Sequence, residues 1–370
     1  MSKEEDDWIV DNINYRLQGN VSCGNLDIDS ASLKDKIPTG LSHFMAIHQN
    51  ELISKKEMLP KKLIRPTRFL KYCNYSNFNS SYFVNFCDAQ GWDYTQLESI
   101  IEKFSIIQFS RRKSQRKNVV LWPLDKQFMN IEKYTDDEVP FEKKYNSIVW
   151  RGRVSGTYKK DWSDFSDCGF WIQSVVKENN SISEDDIQNV FNIPRYKIVN
   201  DLYDKPNCNV KFTTNDEEYD NIENCEVKFK YFKKLIGDRL DMDEQKMYKY
   251  ILVTPGNCYP TSLYWSMLSN SVVFLLDTEW ETILDCNLKP WVHYVPVKDY
   301  TDLAEKFEDL QKNPEKAIQI IESAHEFLKP YKNCELRDKL DYLTLSYYNS
   351  GAMIESLRKN KLSFTTGGFD

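Results

Sequence analysis

From Tyr248 to Lys298 the chain reads YKYILVTPGNCYPTSLYWSMLSNSVVFLLDTEWETILDCNLKPWVHYVPVK. An apolar strand runs into a Pro-Gly turn, a helix, a second apolar strand, an acidic loop and an aromatic-rich strand. Strands buried on both faces with helical crossovers between them belong to parallel sheets. This order also brings a helix start and a strand-end carboxylate together, the placement α/β nucleotide-binding domains use for a phosphate and a sugar.

The rest of the chain extends the pattern. Strands are expected at Ser81–Cys87, Ser105–Phe109, Asn118–Trp122, Ser147–Trp150 and Asn209–Thr213, and a helical piece at Val227–Ile236. A helix is expected from Thr301. A second follows Asn313-Pro314, with Asn313 as N-cap and Ala317, Ile320, Ile321, Ala324 and Phe327 on its buried face. A last helix is expected over Leu336–Lys361. The first 40 residues are polar and acidic and read as an irregular surface extension. The charge-rich stretch Asn130–Lys144 reads as a linker. Four units result: a polar extension (1–40), an N-terminal α/β domain (41–140), a C-terminal α/β domain (141–335), and a terminal helix with tail (336–370).

With 370 residues there is room for two ordinary cores. Hydrophobic residues at 41% and charged residues at 28% exclude a disordered chain, and no apolar run is long enough to span a bilayer. A net charge of -7 argues against nucleic acid as a partner. Nine cysteines without a C-x-x-C pair suit reduced thiols, and the four histidines lack metal-ligand spacing. The acidic start MSKEEDDWIV does not resemble a secretory signal, so a cytoplasmic location is expected.

Several residue groups fit a site for a phosphorylated sugar. Gly256 and Asn257 form a tight turn, and Pro260 suits a first helical position, leaving amides near Ser262 to face an anion or water. Asp277, Glu279 and Glu281 follow a strand and suit either a sugar diol or a helix cap. Arg151 and Arg153, with Gly152, Ser155 and Gly156, form either a forked phosphate grip or a surface turn. Asp88 ends an apolar strand, where it serves as a general base or begins a turn. The basic cluster Arg111–Lys117 reads as a solvated loop. Asp241 and Glu244 have capping-box spacing before a helix over Gln245–Tyr250, so Asp241-Met-Asp243 reads as structural rather than metal-binding, and Asp27 and Asp29 receive the same reading.

Together these segments resemble glycosyltransferase family 90, the Rumi-like protein O-glucosyltransferases and capsule-associated xylosyltransferases. The most specific run is Leu288-Lys-Pro-Trp-Val-His-Tyr-Val-Pro-Val-Lys298. Leu263-Tyr-Trp, Leu268-Ser-Asn-Ser-Val-Val-Phe274, Glu279-Trp280, Trp150-Arg-Gly152 and Phe83-Val-Asn-Phe-Cys-Asp88 are similar in the same order. The resemblance implies a GT-B-type fold, two Rossmann-like domains facing a cleft, with the C-terminal helix packing across both. It implies an inverting, metal-independent transferase with a UDP-sugar donor, glucose or xylose, and no cofactor. Asp88 is then the base, and Arg151, Gly152, Arg153, Ser155, Gly256, Asn257, Ser262, Tyr264 and Glu279 line the donor side. The expected partners are the nucleotide sugar and a glycan or glycolipid acceptor of the lipopolysaccharide or capsule type, with peripheral membrane contact. A non-catalytic nucleotide- or glycan-binding relative is the alternative. Pro255 and Tyr264 depart from the charged residues relatives carry there, so a phosphate-binding cation is sought at Arg153, Lys159 or Arg111–Lys117.

Overall fold

A computed structural model of the chain describes residues 2–18, 34–35, 37, 44–48, 51–54, 60–76, 78, 80–86, 105–114, 119–123, 136–153, 155–156, 188, 190, 192–213 and 234–350. Two five-stranded sheets organise these residues. The first contains β1 (Phe44–His48), β2 (Glu51–Ile53), β3 (Tyr82–Asn85), β4 (Ile106–Gln108) and β6 (Val119–Leu121), in the order β2-β1-β3-β4-β6. Strands β3, β4 and β6 are parallel, and β1 runs against both β2 and β3. Helix α2 (Pro60–Tyr75) precedes β3.

The second sheet is wholly parallel: β7 (Tyr145–Gly152), β8 (Cys208–Phe212), β9 (Tyr248–Val253), β10 (Val272–Leu276) and β12 (Val295–Val297), ordered β12-β10-β9-β7-β8. Alternation along its strands divides the side chains between two cores. Ile148, Trp150, Tyr250, Leu252 and Phe274 pack with α3 (Pro194–Leu202) and α6 (Tyr300–Lys312). Val149, Ile251, Val253, Val273 and Leu275 face a core shared with the first sheet. Mixed α/β structure with parallel sheets is therefore observed.

Helix α7 (Pro314–Lys332) presents Ala317, Ile320, Ile321 and Ala324 to the interior, as their spacing requires. Asn313, however, forms no side-chain cap on α7. Its amide nitrogen donates backward to the Asp309 carbonyl and carboxylate, both at 2.9 Å, closing the end of α6 instead. Helix α8 spans Cys334–Ser350, and the remainder of the expected 336–361 helix lies outside the described residues. Most of Val227–Ile236 also lies outside them, while Ile236 itself forms a β-bridge to Phe212. Among the described residues no helix is long and apolar enough to cross a membrane.

The N-terminal extension needs correction. Residues Lys3–Leu17 form helix α1, capped by a reciprocal Ser2–Glu5 box. Ile9, Ile13 and Leu17, four residues apart, are buried and belong to the core that also holds α8. Arg16 forms a 2.5 Å ion pair with Asp341 of α8, and Trp8 meets Tyr331 edge-on at 5.2 Å. The acidic residues dominate composition here, but they line the outer face; the helical stripe beneath decides the structure.

The basic cluster is corrected at Arg111, while Lys113 is exposed and Arg116 and Lys117 lie outside the described residues. Ser110–Arg112 is a strand, β5, paired antiparallel with β11 (Trp280–Thr282). Arg111 stands opposite Glu281, and its guanidinium meets that carboxylate at 2.7 Å with both side chains buried. It also donates to the carbonyls of Tyr15, Arg16 and Val119. Arg111 therefore joins α1, β6 and β11, and is taken up inside the fold.

Candidate functional site

Parallel strands deliver the loops after β7, β9, β10 and β12 to one edge of the second sheet. Chain order along this sheet reverses at β7. From β7 the chain passes to β8 on one side, then returns to β9 on the other. The adjacent carboxyl ends of β7 and β9 form a topological switch point, where open α/β sheets place their ligands.

The sequence candidates distribute unevenly around it. Gly152 ends β7, and its carbonyl accepts from the Thr213 amide at 2.9 Å. Arg153 is exposed just beyond. Gly156 has φ +139°, a conformation that favours glycine, and its amide donates to Asn257 Oδ1 at 2.8 Å. A Cβ on Gly256 would lie 2.8 Å from both Arg195 Nη2 and Ser155 Oγ, so any larger residue there must displace these two side-chain ends. Ser155, Gly156, Gly256 and Asn257 are thus brought together from two loops.

Arg151 is oriented differently. Its guanidinium donates to the carbonyls of Trp150, Asn209 and Asp238 and to Asn209 Oδ1, at 2.7–3.0 Å. Burial pulls its pKa down. These bonds are made within the fold, tying β7 to β8 and to the segment around Asp238.

Helix α5 (Ser262–Ser266) spans five residues, shorter than the amide-presenting helix expected after Pro260. So short a helix sums few peptide dipoles, and the Ser262 carbonyl is occupied by Ser266 Oγ at 2.8 Å. Tyr264 is buried and turned toward the first sheet. With Phe109, Pro123, Tyr259, Thr261, Thr282 and Ile283 it lines a narrow recess with room for about one water molecule. Phe109 and Pro123 follow the carboxyl ends of β4 and β6, so the recess lies where the edges of both sheets meet. Strand β3 runs parallel to β4 and ends at the same edge of the first sheet; Asp88 and Lys159 lie outside the described residues.

Downstream of β10, Asp277 Oδ1 accepts from the Thr278 amide at 2.9 Å. The next element is strand β11 rather than the helix that a cap at Asp277 or Thr278 required. Glu279 is 60% exposed and 3.5 Å from Arg112 Nε, free to turn toward a ligand at the expense of a weak surface pair. Glu281 lies inward against Arg111. Asp241 and Glu244 do form a capping box, although its helix, α4 (Met242–Lys246), is one turn long and Tyr248 already begins β9. Asp27 and Asp29 lie outside the described residues.

Asp285 stands behind the recess. Its Oδ2 accepts from the Thr282 amide at 2.8 Å and from Thr282 Oγ1 at 3.4 Å. The buried Tyr259 hydroxyl faces the same carboxyl group without reaching good hydrogen-bond geometry. Burial, reinforced by Glu281, raises the Asp285 pKa to about 6, against the opposing effect of Thr282, Tyr259 and Lys113. The folded state thus binds this proton more tightly than the unfolded chain. Its contribution to stability is complete below the ordinary carboxyl value of 3.8 and is lost as pH rises through about 6. Asp285→Asn should remove a pH dependence on the order of 2–3 kcal/mol between pH 4 and 7, read by urea unfolding at both values. Parallel pH profiles for variant and wild type would contradict this.

The residue that sequence reasoning missed is Arg195, near the start of α3. Its guanidinium reaches both switch-point loops and lies 5.5 Å above the Trp150 ring. No local spacing announces it, because its acceptors on the two loops lie 40 to 60 residues away.

Comparison with known sequences places this site in context. The sequence profile of glycosyl transferase family 90 matches residues 204–344, which include β9, β10, β11 and β12. O-glucosyltransferase LpsA of Dichelobacter nodosus is 33% identical over 98 residues, 26% of this chain and 31% of that protein. O-glucosyltransferase rumi of Drosophila melanogaster is 32% identical over 95 residues, 25% of this chain and 23% of its own length. Protein O-glucosyltransferase 1 of Homo sapiens is 32% identical over 83 residues, 22% and 21% of the two chains. The matched region is thus less than a third of each relative. These matches bear out the resemblance carried by the Leu288–Lys298 run: residues 204–344 match the glycosyl transferase family 90 profile, and proteins named O-glucosyltransferase are among those similar to this chain.

Proposed function

We propose that the protein is an inverting glycosyltransferase that moves glucose or xylose from a UDP-sugar to a hydroxyl of a glycan or glycolipid acceptor. The acceptor is of the lipopolysaccharide or capsule type. The observation that carries this reading is the convergence of the β7 and β9 loops at the switch point of a parallel sheet, within a chain whose similar proteins include O-glucosyltransferases. The two sheets correspond to the acceptor side (41–140) and donor side (141–335) of a GT-B-type arrangement.

In this reading the diphosphate lies over Ser155, Gly156, Gly256 and Asn257, and Glu279 holds sugar or ribose hydroxyls. The acceptor hydroxyl attacks the anomeric carbon as the bond to UDP breaks, and Asp88 takes the hydroxyl proton. The departing diphosphate gains negative charge, which the exposed Arg153 and the Ser155 hydroxyl stabilise without a metal. Arg153 thus replaces the cation that Pro255 and Tyr264 do not supply.

The reading is tested by incubating the protein with UDP-glucose or UDP-xylose and a panel of saccharide acceptors, following UDP release and the anomer formed by NMR. Acceptor-dependent UDP release with a β-linked product from an α-linked donor is expected. A product that retains the donor's configuration would overturn the inverting assignment, and no release with any donor would overturn the transferase reading.

A further inference from the structure

We propose that Arg195 is a positioning residue whose guanidinium locks the loops after β7 and β9 into one diphosphate-binding surface. The ligand named here rests on the transferase reading above; the locking itself rests on geometry.

Arg195 projects from the first turn of α3, whose Tyr196, Ile198, Val199 and Leu202 are buried against the second sheet. The side chain therefore starts from a fixed base. Nε donates to Thr254 Oγ1 at 3.1 Å and to the Pro255 carbonyl at 2.9 Å. Nη2 donates to the Thr254 carbonyl at 3.0 Å. Nη1 donates across the switch point to the Arg153 carbonyl at 3.1 Å and to Ser155 Oγ. One planar group thus holds acceptors from both loops, and Trp150 supports its face. The Gly156–Asn257 bond is a second strap between the same loops, and Gly256 leaves the space that the guanidinium fills.

Such a fork is specific to arginine. Lysine keeps the charge but offers one compact ammonium, which cannot span acceptors on both loops. Charge and position are therefore separable by substitution. If Arg195 acted only as a cation for phosphate, Arg195→Lys would retain most of the binding. If it acts by position, Arg195→Lys fails, because a single ammonium cannot hold acceptors of both loops in register.

The experiment compares full-length wild type, Arg195→Lys and Ser155→Ala by amide hydrogen exchange and by calorimetric titration with UDP, well below each protein's melting temperature. Arg195→Lys should keep strand protection in β9 and β10 while amides of 153–156 and 254–257 exchange faster together, about tenfold or more. Its UDP affinity should fall about ten- to a hundredfold, which a merely structural loss of melting temperature would not produce. Ser155→Ala, which removes one acceptor and spares the helix, should loosen both loops to a smaller degree, and it decides the matter if Arg195→Lys does not fold. Wild-type UDP affinity in Arg195→Lys, or faster exchange confined to one loop, would overturn the proposal. Absence of UDP binding by wild type would instead overturn the transferase reading, and the exchange data would then judge the locking alone.

Discussion

Arg111→Met should lower the unfolding free energy by about 3–5 kcal/mol, because it leaves the buried Glu281 carboxylate without its counter-charge. The substitution also strips a donor from the carbonyls of Tyr15, Arg16 and Val119, so the cost spreads to α1 and β6. The pair as a whole is worth much less than its disruption, since two desolvated charges roughly offset their own attraction. Arg111→Met combined with Glu281→Leu should therefore recover most of the loss. Urea unfolding followed by tryptophan fluorescence checks both variants. A single variant within 1 kcal/mol of wild type, or a double variant no better than the single, would contradict this account.

Asp88→Asn should reduce glycosyl transfer by about 10²–10⁴-fold while leaving UDP affinity unchanged. The amide keeps the size of the carboxylate but cannot accept the acceptor hydroxyl's proton. Strand β3 carries the chain to Phe86 on the same edge as Phe109 and Pro123, two residues short of Asp88. A base needed only as the acceptor attacks should appear as a loss in kcat, with little change in the KM for the donor. Transfer at the wild-type rate would remove Asp88 from the mechanism. A parallel loss of UDP affinity would mean that the substitution disturbs the fold instead.

What was legible in the sequence follows the range of the interactions involved. The parallel strands were visible because runs such as Val272–Leu276 and Ile251–Val253 are buried on both faces and bounded by turn residues. The α7 stripe and the Asp241–Glu244 box were visible because their partners lie three or four residues away. Arg111 was not. Alternation in β5 separates it from Arg112, but only the distant Glu281 determines that Arg111 is the one turned inward. Arg195 is a sharper case, since its acceptors lie 40 to 60 residues away on two loops. Helix α1 was legible in principle, from Ser2–Glu5 and the Ile9–Ile13–Leu17 spacing, but net acidity concealed it. Within the candidate site, the glycine turns and Asn257 could be located from sequence. The internal engagement of Arg151 could not, because it depends on carbonyls of β8 and the Asp238 segment.

The common thread is the switch point between β7 and β9, where two glycine-containing loops meet. A calorimetric titration of the full-length protein with UDP tests this most directly, because UDP engages the proposed surface without needing the acceptor. Saturable one-to-one binding, weakened by Gly256→Ala through the 2.8 Å crowding against Arg195 and Ser155, is the predicted result. No measurable binding of UDP, UDP-glucose or UDP-xylose would contradict the account.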